Sequence, residues 1–339
     1  MSAGASGMLV CVSHSPIIMI RAKAPAEEPQ ILALYERCIQ QIRQFDPELV
    51  LILASDHFAG FHLSLMPPYC VGLSATAVDD VGGFPGPLNV PQHSALQLVK
   101  TLRDDGFDPA TSHKMQVDHG FSQPLHRLLG GLDRVPVIPI FVNAMAPPLL
   151  SFARSRAFGA SIGRFASESG RRVLVIGSGG LSHHPTRYYP PLDQADPQVY
   201  AWQLDAERGG SMSSSVWFDR LRRMHIEGAQ MLVDGRRTRQ DICLNPPFDE
   251  HFMAMATQLD VAEADTWDAE QTVAIAGIGS MELHAWIAAI QAYKRFDGRP
   301  THSTIYAPAL EYGIGYGMVV AGGPVAPMAS NPRIQADTL

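Results

Sequence analysis

Thirteen histidines are spread along the 339 residues, and four of them sit where chemistry is easiest to arrange. His14 follows a short apolar run in Cys11-Val12-Ser13-His14-Ser15-Pro16, and His57 follows another in Leu53-Ala54-Ser55-Asp56-His57. His183 follows a third, in Ile176-Gly177-Ser178-Gly179-Gly180-Leu181-Ser182-His183, and His119 lies in the polar loop Gln116-Val117-Asp118-His119-Gly120. Ligands of open α/β sheets gather beyond the carboxyl ends of the strands, so these placements point to one site. Two histidines at adjacent strand ends, completed by one carboxylate, form a facial triad that leaves coordination positions open and suits Fe(II). Zn²⁺ accepts the same donors with an open position, so ligand type does not separate the two metals. Asp56 and Asp118, each beside one of these histidines, read either as carboxylates that orient an imidazole or as turn formers. His113, His126, His184, His225, His251 and His302 lack comparable contexts and read as surface or packing residues.

The glycines near His183 exclude two other chemistries. A dinucleotide fingerprint G-x-G-x-x-G would need glycine at Ser182, and no acidic residue closes a β-α-β unit about twenty residues on. A nucleophile elbow fails because Ser178 lacks a glycine two residues before it. The remaining use of these glycines is close backbone approach to a ligand while His183 is presented.

The elements that must position these residues alternate. Apolar, β-branched runs at 8–12, 49–54, 135–142 and 172–177 read as buried strands. Helical patterns fall at 29–45, 92–104 and 151–169, and again at 247–259 and 281–293. The expected fold is α/β, with a central mostly parallel or mixed sheet flanked by helices. A polar, Arg-rich stretch at 186–241 reads as a helical insertion or lid. Residues 300–339 read as a Gly-, Pro- and aromatic-rich tail, all within one domain spanning 1–339.

Composition bounds the function. With 46% hydrophobic and 17% charged residues the chain can bury a core, and a net charge of −7 argues against nucleic-acid partners. No apolar run reaches the roughly 18 residues a spanning helix needs, so no membrane partner is expected. Cys11, Cys38, Cys70 and Cys243 stand singly, which fits reduced thiols and a cytoplasmic location.

Taken in order, these segments resemble the class III (type II) extradiol ring-cleavage dioxygenases, the family that includes the β subunit of protocatechuate 4,5-dioxygenase. The resemblance runs through most of the chain. It is carried by Ser13-His14-Ser15-Pro16, Phe45-Asp46-Pro47-Glu48-Leu49-Val50, Met115-Gln116-Val117-Asp118-His119-Gly120-Phe121 and Gly177-Ser178-Gly179-Gly180-Leu181-Ser182-His183. Met66-Pro67-Pro68 and Leu129-Gly130-Gly131-Leu132-Asp133 also match. The resemblance implies Fe(II) held by His14, His57 and a glutamate that opens a late helix with Trp four positions on, here Glu282 in Ser280-Met281-Glu282-Leu283-His284-Ala285-Trp286. On sequence alone, Glu311 or Asp249 could take that third place. It further implies a catalytic pair, His183 as base and His119 as acid. The implied reaction cleaves a 3-substituted catechol with both atoms of O₂, giving a muconic semialdehyde-type product. The expected substrate is 2,3-dihydroxyphenylpropionate or 2,3-dihydroxycinnamate. Sister enzymes acting on 2-aminophenol or gallate-type rings, and a Zn²⁺ hydrolase on the same ligands, remain rivals. Homo-oligomers, tetrameric or larger, are implied, with the C-terminal tail as a contact surface. One departure stands out: the region between His183 and Asn245 is long, and Phe248 stands where the family pattern suggests Trp.

Overall fold

The computed structural model describes residues 6–210 and 212–324. Its strands are β1 (Ser6–Val12), β2 (Leu49–Ala54), β3 (Tyr69–Gly72), β4 (Ala75–Ala77), β5 (Gly86–Pro87), β6 (Ala110–Ser112), β7 (Met115–Val117), β8 (Val137–Val142), β9 (Arg172–Ser178), β10 (Thr301–Ala307) and β11 (Tyr316–Gly322). One sheet has the order β10-β11-β1-β9-β2-β8-β3-β6, and a small one has β5-β4-β7. The middle strands β1, β9, β2 and β8 pair in parallel, whereas β11 joins β1 and β3 joins β8 antiparallel. The sheet is therefore mixed with a parallel centre, and the four apolar runs read as strands are that centre.

These runs are continuously apolar because both faces are covered. In β2, Leu49, Leu51 and Leu53 enter one core while Val50, Ile52 and Ala54 enter the other. The helices Gln92–Asp104, Phe152–Glu168 and Leu283–Phe296 fill the first face; Glu28–Phe45 and His119–Leu129 fill the second. The contact between Phe152–Glu168 and Leu283–Phe296 bears directly on function. A Cβ added at Gly159 would lie 2.2 Å from the Ala288 carbonyl oxygen, and one at Gly163 2.4 Å from that of Ala292. Two glycines one turn apart thus let the backbones nest, and this holds the helix that follows Glu282 against the sheet.

Within 186–241 the chain forms the helices Pro197–Asp205 and Ser214–Val233, capped by the side chains of Asp196 and Ser213. Trp202 and Trp217 stack at 5.2 Å, and the Trp202 indole donates to the Phe58 carbonyl at 2.9 Å. The helical excursion is thereby fastened to the loop carrying His57.

The tail expectation needs correction in two respects. Residues 301–307 and 316–322 are strands, and β11 is buried along its length beside β1. Thr301–Ala307 is half-buried and opens with four consecutive polar residues, and Tyr316–Gly322 is flanked and interrupted by glycine, so neither shows a clean strand pattern. Residues 316–322 therefore offer no contact surface, and 325–339 lie outside the described residues.

Candidate metal centre and active site

His14 and His57 lie just beyond β1 and β2, as their sequence contexts suggest, but these strands are not neighbours: β9 runs between them. That correction explains a residue the sequence reading passed over. Ser178, the last residue of β9, donates its hydroxyl to the Gly120 carbonyl at 2.6 Å and lies 2.8 Å from His14 Nδ1. With its own proton committed to a carbonyl, the Ser178 oxygen can only accept from His14 Nδ1–H. His14 Nε2 is then a lone pair, and it is buried without a hydrogen-bond partner.

His57 is oriented the same way. Its Nδ1 lies 2.9 Å from Asp118 Oδ2, which also accepts the His57 backbone N–H at 2.7 Å; Asp118 Oδ1 accepts from the Gly120 N–H at 2.9 Å. Asp118 thus both caps the helix His119–Leu129 and orients an imidazole, though that of His57 and not of its neighbour His119. Burial alone would raise its carboxyl, but the His57 and His119 rings outweigh it and hold Asp118 below the usual range. Asp56 is the turn former: its carboxylate accepts the Ala59, Gly60 and Phe61 N–H groups.

Glu282 completes the cluster. It ends a 3₁₀ turn, Ile278–Glu282, and opens the helix Leu283–Phe296, where a negative charge is favoured. Glu282 Oε1 lies 3.2 Å from both His14 Nε2 and His57 Nε2, and accepts from Ser55 Oγ at 2.5 Å. Glu282 Oε2 accepts from the Gly180 N–H. Burial raises this carboxyl, yet a proton held between it and the facing His14 and His57 imidazoles more than offsets that and keeps it well below its ordinary value. Of the other two carboxylates weighed for this place, Asp249 is committed to Ser182 and Tyr306, and Glu311 faces Lys23.

A lone-pair nitrogen facing a carboxylate oxygen across 3.2 Å is repulsive unless a proton or a cation lies between them. Two ligand atoms in adjacent positions about a cation, each about 2.1 Å from it, would be separated by about 3 Å. The donor set and its spacing fit a divalent metal ion. His119 is the competing donor, since the His14, His57 and His119 imidazoles offer nitrogens all within 4.8 Å of one another. It differs from Glu282 in lying stacked on His57, with ring centroids 4.4 Å apart, and in being tied through Nδ1 and backbone N–H to Asp80.

His183 is the fifth residue of the constellation. Its Nδ1 donates to the Leu181 carbonyl at 3.1 Å, so Nε2 is the free lone pair, 4.0 Å from Glu282 Oε2. The surrounding glycines make room for it. A Cβ at Gly180 would come 2.5 Å from His183 Cε1, and one at Gly279 2.2 Å from the same atom. Burial holds His183 below the ordinary imidazole range, and holds His119 well below it.

The cluster opens into a small cleft. Its walls include His14, His57, His119 and His183 on the sheet side, and Tyr188, Tyr189, His225 and Arg237 from the helical excursion. His184 and His225, read from sequence as surface or packing residues, both line it. His225 stacks on Tyr188 with centroids 3.6 Å apart and donates Nδ1–H to the Leu221 carbonyl at 2.7 Å; burial pushes it down to about 3. Phe248, by contrast, packs against Trp267 and is not among the residues lining the cleft.

Residues 8–313 match the family described as the catalytic LigB subunit of aromatic ring-opening dioxygenase. The chain belongs to that family. Relatives from Escherichia coli, among them strain K12 and the O157:H7 strain EC4115, are named 2,3-dihydroxyphenylpropionate/2,3-dihydroxicinnamic acid 1,2-dioxygenase. They are 39% identical over 313 residues, which is 92% of this chain and 98% of theirs. Among solved structures, the uncharacterized protein JW3007 from Escherichia coli K12 superposes with a TM-score of 0.48 at 11% identity, over 93% of this chain and 99% of that one.

This dioxygenase is therefore metal-dependent in kind, with a cluster able to hold the metal. No helix among its described residues is long and apolar enough to cross a membrane. All five expected site residues converge, and each is nine-tenths or more buried. What the sequence reading missed were their supports: Asp80, Ser178, Ser55 and the walls from 186–241. Only Ser178 and Ser55 carried a signal, since Ser178 ends β9 and Ser55 directly follows β2, on the edge where the histidines follow.

Proposed function

We propose that the chain is an Fe(II)-dependent extradiol dioxygenase that opens the ring of 2,3-dihydroxyphenylpropionate or 2,3-dihydroxycinnamate, inserting both atoms of O₂ to give a muconic semialdehyde-type product. His14, His57 and Glu282 hold the iron. The observation that carries this reading is the pair of tautomers set by Ser178 and Asp118, which turn two lone pairs toward one carboxylate oxygen at 3.2 Å. Bound there, Fe(II) supplies a shared centre for the catechol oxygens and O₂ and a path for electrons from ring to O₂.

The protein's own residues handle the protons. With Nδ1–H committed to Leu181, His183 accepts at Nε2 and takes a proton from a catechol hydroxyl. Asp80 beside His119 is pushed well above the usual carboxyl range by burial and by the Asp118 charge. A neutral Asp80 donates to His119 Nδ1 and leaves His119 Nε2–H as an acid; as that proton passes to the departing oxygen when the O–O bond breaks, the Asp80 proton moves to Nδ1, so the imidazole stays neutral and the negative charge rests on Asp80. The two histidines are thus set by their partners to opposite tasks. Tyr189, with its ring centroid 5.4 Å from that of His57, helps keep bulk water off the cluster. Its place of action is the cytoplasm, in keeping with four unpaired cysteines, and it works as a homo-oligomer.

Oxygen uptake on adding 2,3-dihydroxyphenylpropionate to anaerobically Fe(II)-loaded protein tests the reading, with the yellow ring-fission product followed by absorbance. No uptake with any catechol would sink it. Preference for 2-aminophenol or gallate in the same panel would reassign the substrate, and zinc in protein isolated anaerobically would favour a hydrolase.

A further inference from the structure

The substrate proposed above carries an anionic side chain, and the cleft walls contain one candidate to receive it. Five arginines of the helical excursion, Arg187, Arg208, Arg220, Arg222 and Arg236, pair with aspartate or glutamate. Arg223 and Arg239 are exposed to water. Arg237 alone in this stretch is both buried, at 7% exposure, and without an ion pair to any described carboxylate. It is also the only Lys or Arg among the residues that line the cleft.

Its surroundings hold the guanidinium without neutralising it. Nη1 donates to the Tyr188 hydroxyl at 2.9 Å, the group sits 5.5 Å from the Tyr188 ring centroid, and its backbone N–H donates to the Met231 carbonyl. Gly228 leaves the space: a Cβ there would lie 2.1 Å from the Tyr188 hydroxyl and 3.3 Å from Arg237 Nη1. A buried cation left without a counter-ion is costly, and a carboxylate entering the cleft would remove that cost. The opposite wall does not attract one, because the carboxylates of Asp118 and Glu282 lie buried among the histidines there. An anionic substituent is therefore drawn toward the excursion side. Ile17, Ile242 and Ile314, which also line the cleft, offer apolar surface for the two carbons between ring and carboxylate.

We infer that Arg237 binds the side-chain carboxylate of the substrate and sets the enzyme's preference for catechols bearing a short acid chain. This rests on the dioxygenase reading above. The test compares kcat/KM for 2,3-dihydroxyphenylpropionate and for 3-methylcatechol in wild type, Arg237→Gln and Arg237→Lys. Removing one partner of a buried charge pair predicts a loss of about 100-fold on the acid for Arg237→Gln, carried by KM, with less than about 3-fold on 3-methylcatechol. Arg237→Lys keeps the charge and recovers part of the loss. Equal losses on both substrates, or none on either, overturn the inference. Should Arg237→Gln not fold, wild type decides: turnover of the methyl ester equal to that of the free acid overturns it. Calorimetric titration of wild type and variant with 3-phenylpropionate needs neither iron nor turnover. Tight binding by wild type that weakens in the variant supports Arg237 even if no catechol is cleaved, and equal binding refutes it.

Discussion

Asp118→Asn tests whether the imidazole tautomers were assigned correctly, because one carboxylate makes three hydrogen bonds that an amide of the same shape cannot. Asp118 Oδ2 accepts two donors from His57, and Oδ1 accepts the Gly120 N–H. In the variant, an amide oxygen facing His57 leaves its NH₂ against the Gly120 N–H, so the helix cap is lost at about 1 kcal/mol. The two bonds to His57 also lose their charge assistance, about 1 kcal/mol each. The sum is about 3 kcal/mol of folding stability, read by urea denaturation of the metal-free protein. Turned the other way, the amide keeps the cap and presents its N–H groups to His57 Nδ1. The imidazole then carries its proton on Nε2, the atom that faces Glu282. Either arrangement should weaken metal affinity by 10–100-fold, the usual range of about 1.4–2.7 kcal/mol for loss of a carboxylate behind a ligating histidine. Affinity is read by competition of the folded variant against a chelating indicator with Fe(II) or Co(II). A variant that folds, loses about 3 kcal/mol and yet binds metal within about 2-fold of wild type would refute the assignment of His57 as a ligand oriented by Asp118.

Three other outcomes follow from the same geometry. His119→Ala and His183→Ala should each retain iron while losing about 10²–10⁴-fold in turnover, the range for general acid–base groups; metal content together with kcat checks this. Gly180→Ala places a methyl 2.5 Å from His183 Cε1 and should cost about 1–3 kcal/mol of stability by urea denaturation, with turnover falling more than iron content. Burial pushes the Asp249 carboxyl up to about 6 from its ordinary 3.8. Because its folded value lies above the unfolded one, its contribution is present below about pH 4 and lost as pH rises through 6. Wild type should therefore lose stability relative to Asp249→Asn between about pH 4 and 6.5, by on the order of 2 kcal/mol in paired urea titrations, with little further change above about pH 7; a constant difference would contradict it.

The sequence by itself determined the parallel centre of the sheet and most of the chemistry. β1, β2, β8 and β9 are covered on both faces, so each is an unbroken apolar run, and the histidines follow where those runs stop. Motifs over His14, His57, His119 and His183 did the rest, because those residues act through local loops of a few residues each. Glu282 was legible only as a motif, since nothing local distinguishes it from Asp249. Tertiary structure separated them by setting Glu282 3.2 Å from two imidazoles and closing Asp249 onto Ser182 and Tyr306. The last strands escaped notice because β10 is half-exposed and β11 is punctuated by glycine, so β11 depends on pairing with β1 across some 300 residues and β10 in turn on pairing with β11. The partners that choose each imidazole's proton, Ser178 for His14, Asp118 for His57 and Asp80 for His119, are 164, 61 and 39 residues away from the rings they orient. Hydrogen bonds at such separations leave no periodic trace in a sequence. The same holds for Arg237, one of many arginines until the fold buries it in the cleft without a counter-ion.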